Sequence, residues 1–577
     1  MPKRAAPLPL VLLALALLGA AIALWRPRVG PPPAPTRPGP QADPPETDAA
    51  LFAEITEKAG LSFTHRNGAG KYVSVEFSSG GGALFDADND GWLDILLLQA
   101  GPSERPETVK DRPHGALYRN KGDGTFEDIT AGSGIDRDLG YAQGVAVGDI
   151  DNDGRDELVV TAYGRITLLR ATDGARPRYA DVTKGSGLDV ATGSRYFTSA
   201  AFGDIDNDGF LDLYICCYND WTHGAASSQP FPDLGAPVTH RLFRNTGTGT
   251  FVDITHKAGI DQRTGRGLAV AFLDVNDDGK PDIFVACDRT PHLLWRNRGD
   301  GTFVDDASRA GCALSETGQT MAGMGIALAD IDHTGRESLA VTNFTNLPTT
   351  LFRAEGDGLF AAQSARAGLG TAIQPKPLGF GGEFVDIDAD GWPDLILTNG
   401  HVYPRNSDYR QPRQLYRNQG GGRFVEVTDP ARLGRLAAPR VGRGLAVGDI
   451  DNDGRPDLLL IHQNEPVQLF RNRDKSGNHW LALHLEGTRS NRNALGAKVT
   501  VTAGGEPHTA RVRSGSSYLS VSDRRLFFGL GKATAIDAID IRWPSGRRER
   551  IAPLALDAGY RVIEGKGVAG KLPYRQP

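Results

Sequence analysis

The sequence of 577 residues has only 4 cysteines and 3 methionines, and long amphipathic helical patterns are hard to find in it. Cys216, Cys217, Cys287 and Cys312 form no CxxC pair, which argues against a zinc site. On a strand, adjacent Cys216 and Cys217 point to opposite faces, as suits buried thiols acting as small hydrophobes. A Cys287–Cys312 disulfide is an alternative that the spacing does not decide. No Gly-x-Ser-x-Gly elbow accompanies Ser514, Ser516 and Ser517, so they read as a Ser/Gly turn rather than a nucleophile. Basic–aromatic recognition motifs are missing as well, and the larger part of the chain is acidic, so no nucleic acid is expected as a partner.

Glycine is abundant, at 72 residues, and the aromatics are scattered, a combination that suggests many short strands joined by turns. The length exceeds one ordinary core and implies two or more domains. The net charge of −6 divides unevenly: from Asn478 onward 16 Lys/Arg face 8 Asp/Glu, leaving an acidic body of net −14 and a basic tail. That asymmetry fits an acidic, metal-binding body beside an ordinary solvated domain better than a polyanion binder.

The N-terminus reads as an export signal. Lys3-Arg4 precede a largely apolar run from Leu8 to Trp25, and Arg26 and Arg28 follow. Ala21-Ile22-Ala23 offers a cleavage site, while the run over residues 8–25 is just long enough to span a bilayer as a tether. Both readings place the body outside the cytoplasm: periplasmic, cell-surface or secreted. Residues 1–26 are therefore signal or anchor, and the proline-rich residues 27–50 are an extended linker.

From Leu51 the chain repeats. The pattern Asp-x-Asp-x-Asp-Gly-x-x-Asp begins at Asp86, Asp204, Asp386 and Asp449, with variants at Asp149 and Asp274 and a worn copy at Asp330. First acids are 63, 55, 70, 56, 56 and 63 residues apart. Leu-aromatic-Arg-Asn strands (such as Leu117–Asn120 and Leu469–Asn472) and Gly-Thr-Phe-x-Asp strands keep step with it. Phe52-Ala53-Glu54-Ile55-Thr56 resembles the latter strand, which is missing after Arg471-Asn472. One missing strand at each end predicts ring closure. The expected fold is all-β: a seven-bladed β-propeller over residues 51–477, then a small β-rich domain over 478–577.

Each loop presents oxygens suited to calcium. Acids at positions 1, 3 and 5 converge, glycine at 6 permits the turn, and the carbonyl at 7 and the acid at 9 complete an all-oxygen shell. The expected ligand sets are Asp86, Asp88, Asp90, Trp92 and Asp94; Asp149, Asp151, Asp153, Arg155 and Glu157; and Asp204, Asp206, Asp208, Phe210 and Asp212. They continue with Asp274, Asn276, Asp278, Lys280 and Asp282; Asp386, Asp388, Asp390, Trp392 and Asp394; and Asp449, Asp451, Asp453, Arg455 and Asp457. About six Ca2+ sites are expected. The seventh, from Asp330 to Ser338, is degenerate because Thr334 and Ser338 replace acids.

These loops resemble the FG-GAP/VCBS calcium repeats of integrin α-chain propellers. The segments Asn491–Val499, Arg511–Ser520, Leu526–Gly531 and Ile541–Gly546 look like an ASPIC/UnbV domain. The pairing resembles bacterial members of the cartilage acidic protein family, which implies an extracellular calcium-binding protein and no established reaction. A binding, adhesion or scaffold module with a protein or glycan ligand is the first functional reading, and a calcium-dependent glycan-active lyase or hydrolase is the alternative. No catalytic residue stands out. His401 and Glu383 are candidates for a propeller face and its channel, and Arg511, Arg513, Arg524 and Arg525 read as a solvated strand face rather than an anion-binding patch.

Overall fold

The computed structural model describes residues 43–575 except 69–73, 102–112, 175, 191, 221–235, 371–375 and 405. The apolar run at residues 8–25, and with it the tether or signal, lies outside the described residues. No helix among the described residues is long and apolar enough to cross a membrane. Residues 43–577 form one compact unit.

Among the described residues, seven four-stranded antiparallel sheets follow one another along the body. Their innermost strands are Gly82–Phe85, Ala142–Gly148, Arg195–Gly203, Gly267–Leu273, Ile326–Ala329, Gly379–Val385 and Gly442–Gly448. Each inner strand packs against the next, and the seventh packs against the first. The last sheet is completed by the N-terminal strand Phe52–Glu54, with Phe52 opposite Asn472 and Glu54 opposite Phe470. The expected all-β class, propeller type and closing strand are borne out.

The second strand of each sheet starts at the ninth loop position and runs as a continuous apolar stretch, as in Asp94–Leu97 and Asp457–His462, because it is buried on both faces. Packing between sheets follows from the same residues: Cys216 and Cys217 point into different cores, and all four cysteines are free and buried. The recurrent Asn ending the third strand is a rivet. Asn120 Nδ2 donates to Leu93 in its own sheet at 3.0 Å and to Ile450 of the preceding loop at 2.8 Å. Asn245, Asn297, Asn418 and Asn472 reach Ile150, Ile205, Ile331 and Ile387 in the same way, each at 2.8–3.0 Å.

Beyond Asn478, two four-stranded sheets pack together around Trp543, Val499 and Leu483. One contains the parallel pair His479–Glu486 and Ala558–Ile563. A loop from this region, Arg513 to Asp523, enters the centre of the ring. Ile326 and Ser517 exchange backbone hydrogen bonds, Val521 N donates to Gly82 O at 2.9 Å, and Asp523 N donates to Val447 O at 2.9 Å. Ser514 Oγ bonds Phe202, and the Tyr518 hydroxyl donates to Ser78 O at 2.7 Å.

The position five places before each first acid is small throughout (Gly81, Gly144, Ser199, Ala269, Gly325, Gly381 and Gly444), and Gly81, Gly144, Ser199, Gly325 and Gly444 lie against this loop. A Cβ on Gly81 would lie 2.4 Å from Leu519 O, and one on Gly444 would lie 2.6 Å from Ser520 Oγ.

Candidate metal centres

All seven loops fold alike around the first acid. In the first loop, Asp86 Oδ1 accepts from Asp90 N at 3.0 Å and Oδ2 accepts from Gly91 N at 2.8 Å. The same pair recurs down to Asp449, with Asp453 N at 3.1 Å and Gly454 N at 2.7 Å. The fourth position is left-handed, with φ of 58° at Asn89 and 60° at Asn152, which Asn tolerates better than most residues. The fifth acid accepts from the backbone N of the seventh residue: Trp92, Arg155, Phe210, Lys280, Trp392 and Arg455. The ninth acid is tied by the second-position N–H and by the third-strand Asn, as Asp94 is by Ala87 and Asn120 at 3.0 and 2.8 Å.

This scaffold brings carboxylate oxygens within 4.8 Å of one another in five groups among the described residues: Asp86/Asp88/Asp90, Asp149/Asp151/Glu157, Asp204/Asp206/Asp212, Asp386/Asp388/Asp390 and Asp449/Asp451/Asp453. The strand-three arginine pairs with the outer oxygens, Arg119 with Asp88 at 2.5 Å and Asp90 at 2.8 Å. Arg417 and Arg471 do the same in the sixth and seventh loops. The inner oxygens are left over. Oδ1 of Asp88, Asp151, Asp388 and Asp451 and Oε1 of Glu157 are shielded from solvent and accept no hydrogen bond. A buried acceptor without a partner is costly, and a carboxylate more so. The donor set is hard, anionic and all-oxygen, which fits calcium.

The electrostatics agree. Burial, helped by neighbouring acids, raises Asp86 to about 6, Asp149 to about 7, Asp204 to about 7, Asp449 to about 8 and Glu157 to about 9. Asp94, Asp212, Asp386, Asp394 and Asp457 are also pushed well above the usual carboxylate range, first by burial. A bound cation would reverse this by favouring the charged forms.

Two loops stand apart from these all-acid groups. The fourth, with Asp274, Asn276, Asp278 and Asp282, carries an amide in place of the third acid. In the fifth, Thr334 and Ser338 replace two acids, and the Thr334 hydroxyl donates to Asp332 Oδ1 at 2.8 Å, the oxygen left free at the third position of the first, second, sixth and seventh loops. The arginines read as a solvated face are instead ion-paired to the loops: Arg511 to Asp277, Arg513 to Glu337 and Arg524 to Asp156. The reason is that the C-terminal sheets sit on the loop side of the ring, so basic side chains meet acidic loops there. Glu383 does line the channel, but as a buried acceptor for Ser516 at 2.5 Å and Ser522 at 2.9 Å, and burial lifts it to about 7. His401 packs against Phe344 and Tyr403, and its Nδ1 accepts from Tyr403 N at 3.0 Å.

The FG-GAP-like repeat profile matches residues 86–160, 149–215, 235–285, 274–341 and 386–460, more than half of the chain. The chain belongs to the FG-GAP repeat family. In this FG-GAP protein, residues 487–569 also match the ASPIC and UnbV profile. Cartilage acidic protein 1 of Homo sapiens is 27% identical over 486 residues, covering 81% of this chain and 69% of the relative. Integrin alpha-7 of Homo sapiens is 36% identical over 76 residues, 13% of this chain and 6% of the relative. Among solved structures, YCF48 bound to D1 peptide aligns with a TM-score of 0.41 at 9% identity, covering 76% of this chain and all of that one.

Proposed function

We propose that this chain is an extracytoplasmic, calcium-loaded propeller of seven blades, one per sheet, that binds a protein or glycan partner as an adhesion or scaffold module. The observation that carries the reading is the set of shielded, unpartnered carboxylate oxygens on Asp88, Asp151, Asp388 and Asp451, each beside further acids. Similarity to cartilage acidic protein 1 and to integrin α-chains supports a binding role. The basic segment and apolar run before Pro27 support export. Because the C-terminal sheets cover the loop side, a partner would meet the opposite face or the rim. Ions that bind only the folded state stabilise it by mass action, about 2.7 kcal/mol per site at 100-fold excess over Kd. Melting of the protein in millimolar calcium and in EGTA tests this: a large rise in Tm with calcium is expected, and superimposed curves would contradict it.

A further inference from the structure

The fourth loop differs from its neighbours in more than one substitution. Asn276 Nδ2 donates to Asp278 Oδ2 at 3.1 Å, so the third position turns its polar group back into the loop. None of its described carboxylate oxygens is left shielded and without a partner, in contrast to the first, second, sixth and seventh loops. The left-handed fourth position is Asp277. In the first, second, third and seventh loops that position is Asn89, Asn152, Asn207 and Asn452, and its amide donates to the glycine carbonyl of the next loop at 2.8–3.0 Å. A carboxylate has no proton to donate, so this link to the fifth loop cannot form.

Cations of the C-terminal region take the place of that link. Lys498 Nζ lies 2.7 Å from Asp277, and Arg511 and Arg542 both bond it. Arg542 also reaches the first-position acid, Asp274, at 3.3 Å, and Arg511 lies 3.7 Å from it. No other first-position acid among the described residues forms such an ion pair. Arg511 extends further to Glu337 of the fifth loop, at 3.5 Å. Two guanidinium groups on Asp274 supply the positive charge that an ion would bring, and they repel a divalent cation.

We propose that the fourth loop is a docking socket for the C-terminal region's own basic side chains, and that calcium occupies only the first, second, third, sixth and seventh loops. The inference rests on the calcium reading above. It makes the fourth and fifth loops a sector in which the C-terminal sheets are held by arginine and lysine, sensitive to salt and indifferent to calcium.

The test counts tightly bound calcium on the full chain by native mass spectrometry at micromolar free calcium. It compares the unaltered protein with Asp274→Asn/Asp278→Asn in the fourth loop and Asp386→Asn/Asp388→Asn in the sixth. The expected result is five ions on the unaltered protein, matching the five converging groups, an unchanged count in the fourth-loop variant and one fewer in the sixth-loop variant. A sixth ion on the unaltered protein, which needs no variant to fold, or loss of one ion from the fourth-loop variant, would overturn the proposal. A protein that binds no calcium at all would overturn the calcium reading itself and this inference with it.

Discussion

The first and fourth loops share their first acid, their glycine and their ninth acid, yet they meet the same problem differently. In the first loop Asp88 keeps an inner oxygen shielded and unpaired, and Asn89 hands a hydrogen bond to the next loop. In the fourth, Asn276 closes on Asp278, and Asp277 turns outward to Lys498, Arg511 and Arg542. Clustered carboxylates need a countercharge in both cases. On the calcium reading one sector takes an ion, while the other is neutralised by side chains more than 200 residues away in sequence. The difference teaches that a repeat motif specifies the turn, and that its surroundings bear on its countercharge.

The largest expected contrast is in pH dependence. Burial holds Asp149 at about 7 and Asp449 at about 8 in the folded, ion-free protein, against an unfolded value near 4. The folded state then binds more protons than the unfolded state between those limits. Stability of the ion-free protein therefore falls as pH rises from about 5 to about 8. Calcium should abolish the trend by holding the charged forms. Melting of metal-stripped protein at both ends of this range checks it, and a higher Tm at the alkaline end would break the picture of an unsatisfied acidic sector.

Next in size is the central loop that both sectors share. Tyr518 is fully buried and its hydroxyl bonds Ser78 O. Tyr518→Ala should cost about 3–5 kcal/mol, the range for deleting a buried aromatic ring. Chemical denaturation reads this directly, and a loss under 1 kcal/mol would mean that the loop is not integral to the ring.

A smaller contrast separates two third-position acids. Asp388→Ala should remove one calcium site and its stabilisation, about 2.7 kcal/mol at 100-fold excess over Kd. Asp332→Ala should leave the calcium dependence of Tm unchanged, because Thr334 and Ser338 replace the fifth and ninth acids of that loop and the Thr334 hydroxyl already donates to Asp332. Equal calcium responses from the two variants would erase the distinction between the sectors. The smallest effect is expected for Lys498→Gln. Its partner Asp277 is half exposed, so about 0–1 kcal/mol is at stake, fading in high salt.

Much of this was legible in the residues. The spacing of first acids and the stray strand Phe52–Glu54 announced a closed ring, because a propeller must complete its last sheet from the other end of the chain. The loop acids announced their own turn, since the glycine and the first acid bond locally. The Leu-aromatic-Arg-Asn motif was visible as a phase marker, but its asparagine acts between sheets, which periodicity does not show. The column of small residues five places before each first acid was also there to be aligned, and five of its members, Gly81, Gly144, Ser199, Gly325 and Gly444, lie along the central loop. What could not be read was the seating of Arg511 and Arg542 on Asp274. It depends on how two distant segments pack, and on a strand those arginines look like any solvated face.

The most direct test of the two-sector account is an anomalous difference map from crystals grown in millimolar calcium, collected where calcium scatters anomalously. The account predicts peaks beside Asp88, Asp151, Asp206, Asp388 and Asp451, and none beside Asp274 or Asp330. A full-occupancy peak at Asp274, with Arg511 and Arg542 turned away from it, would contradict the account.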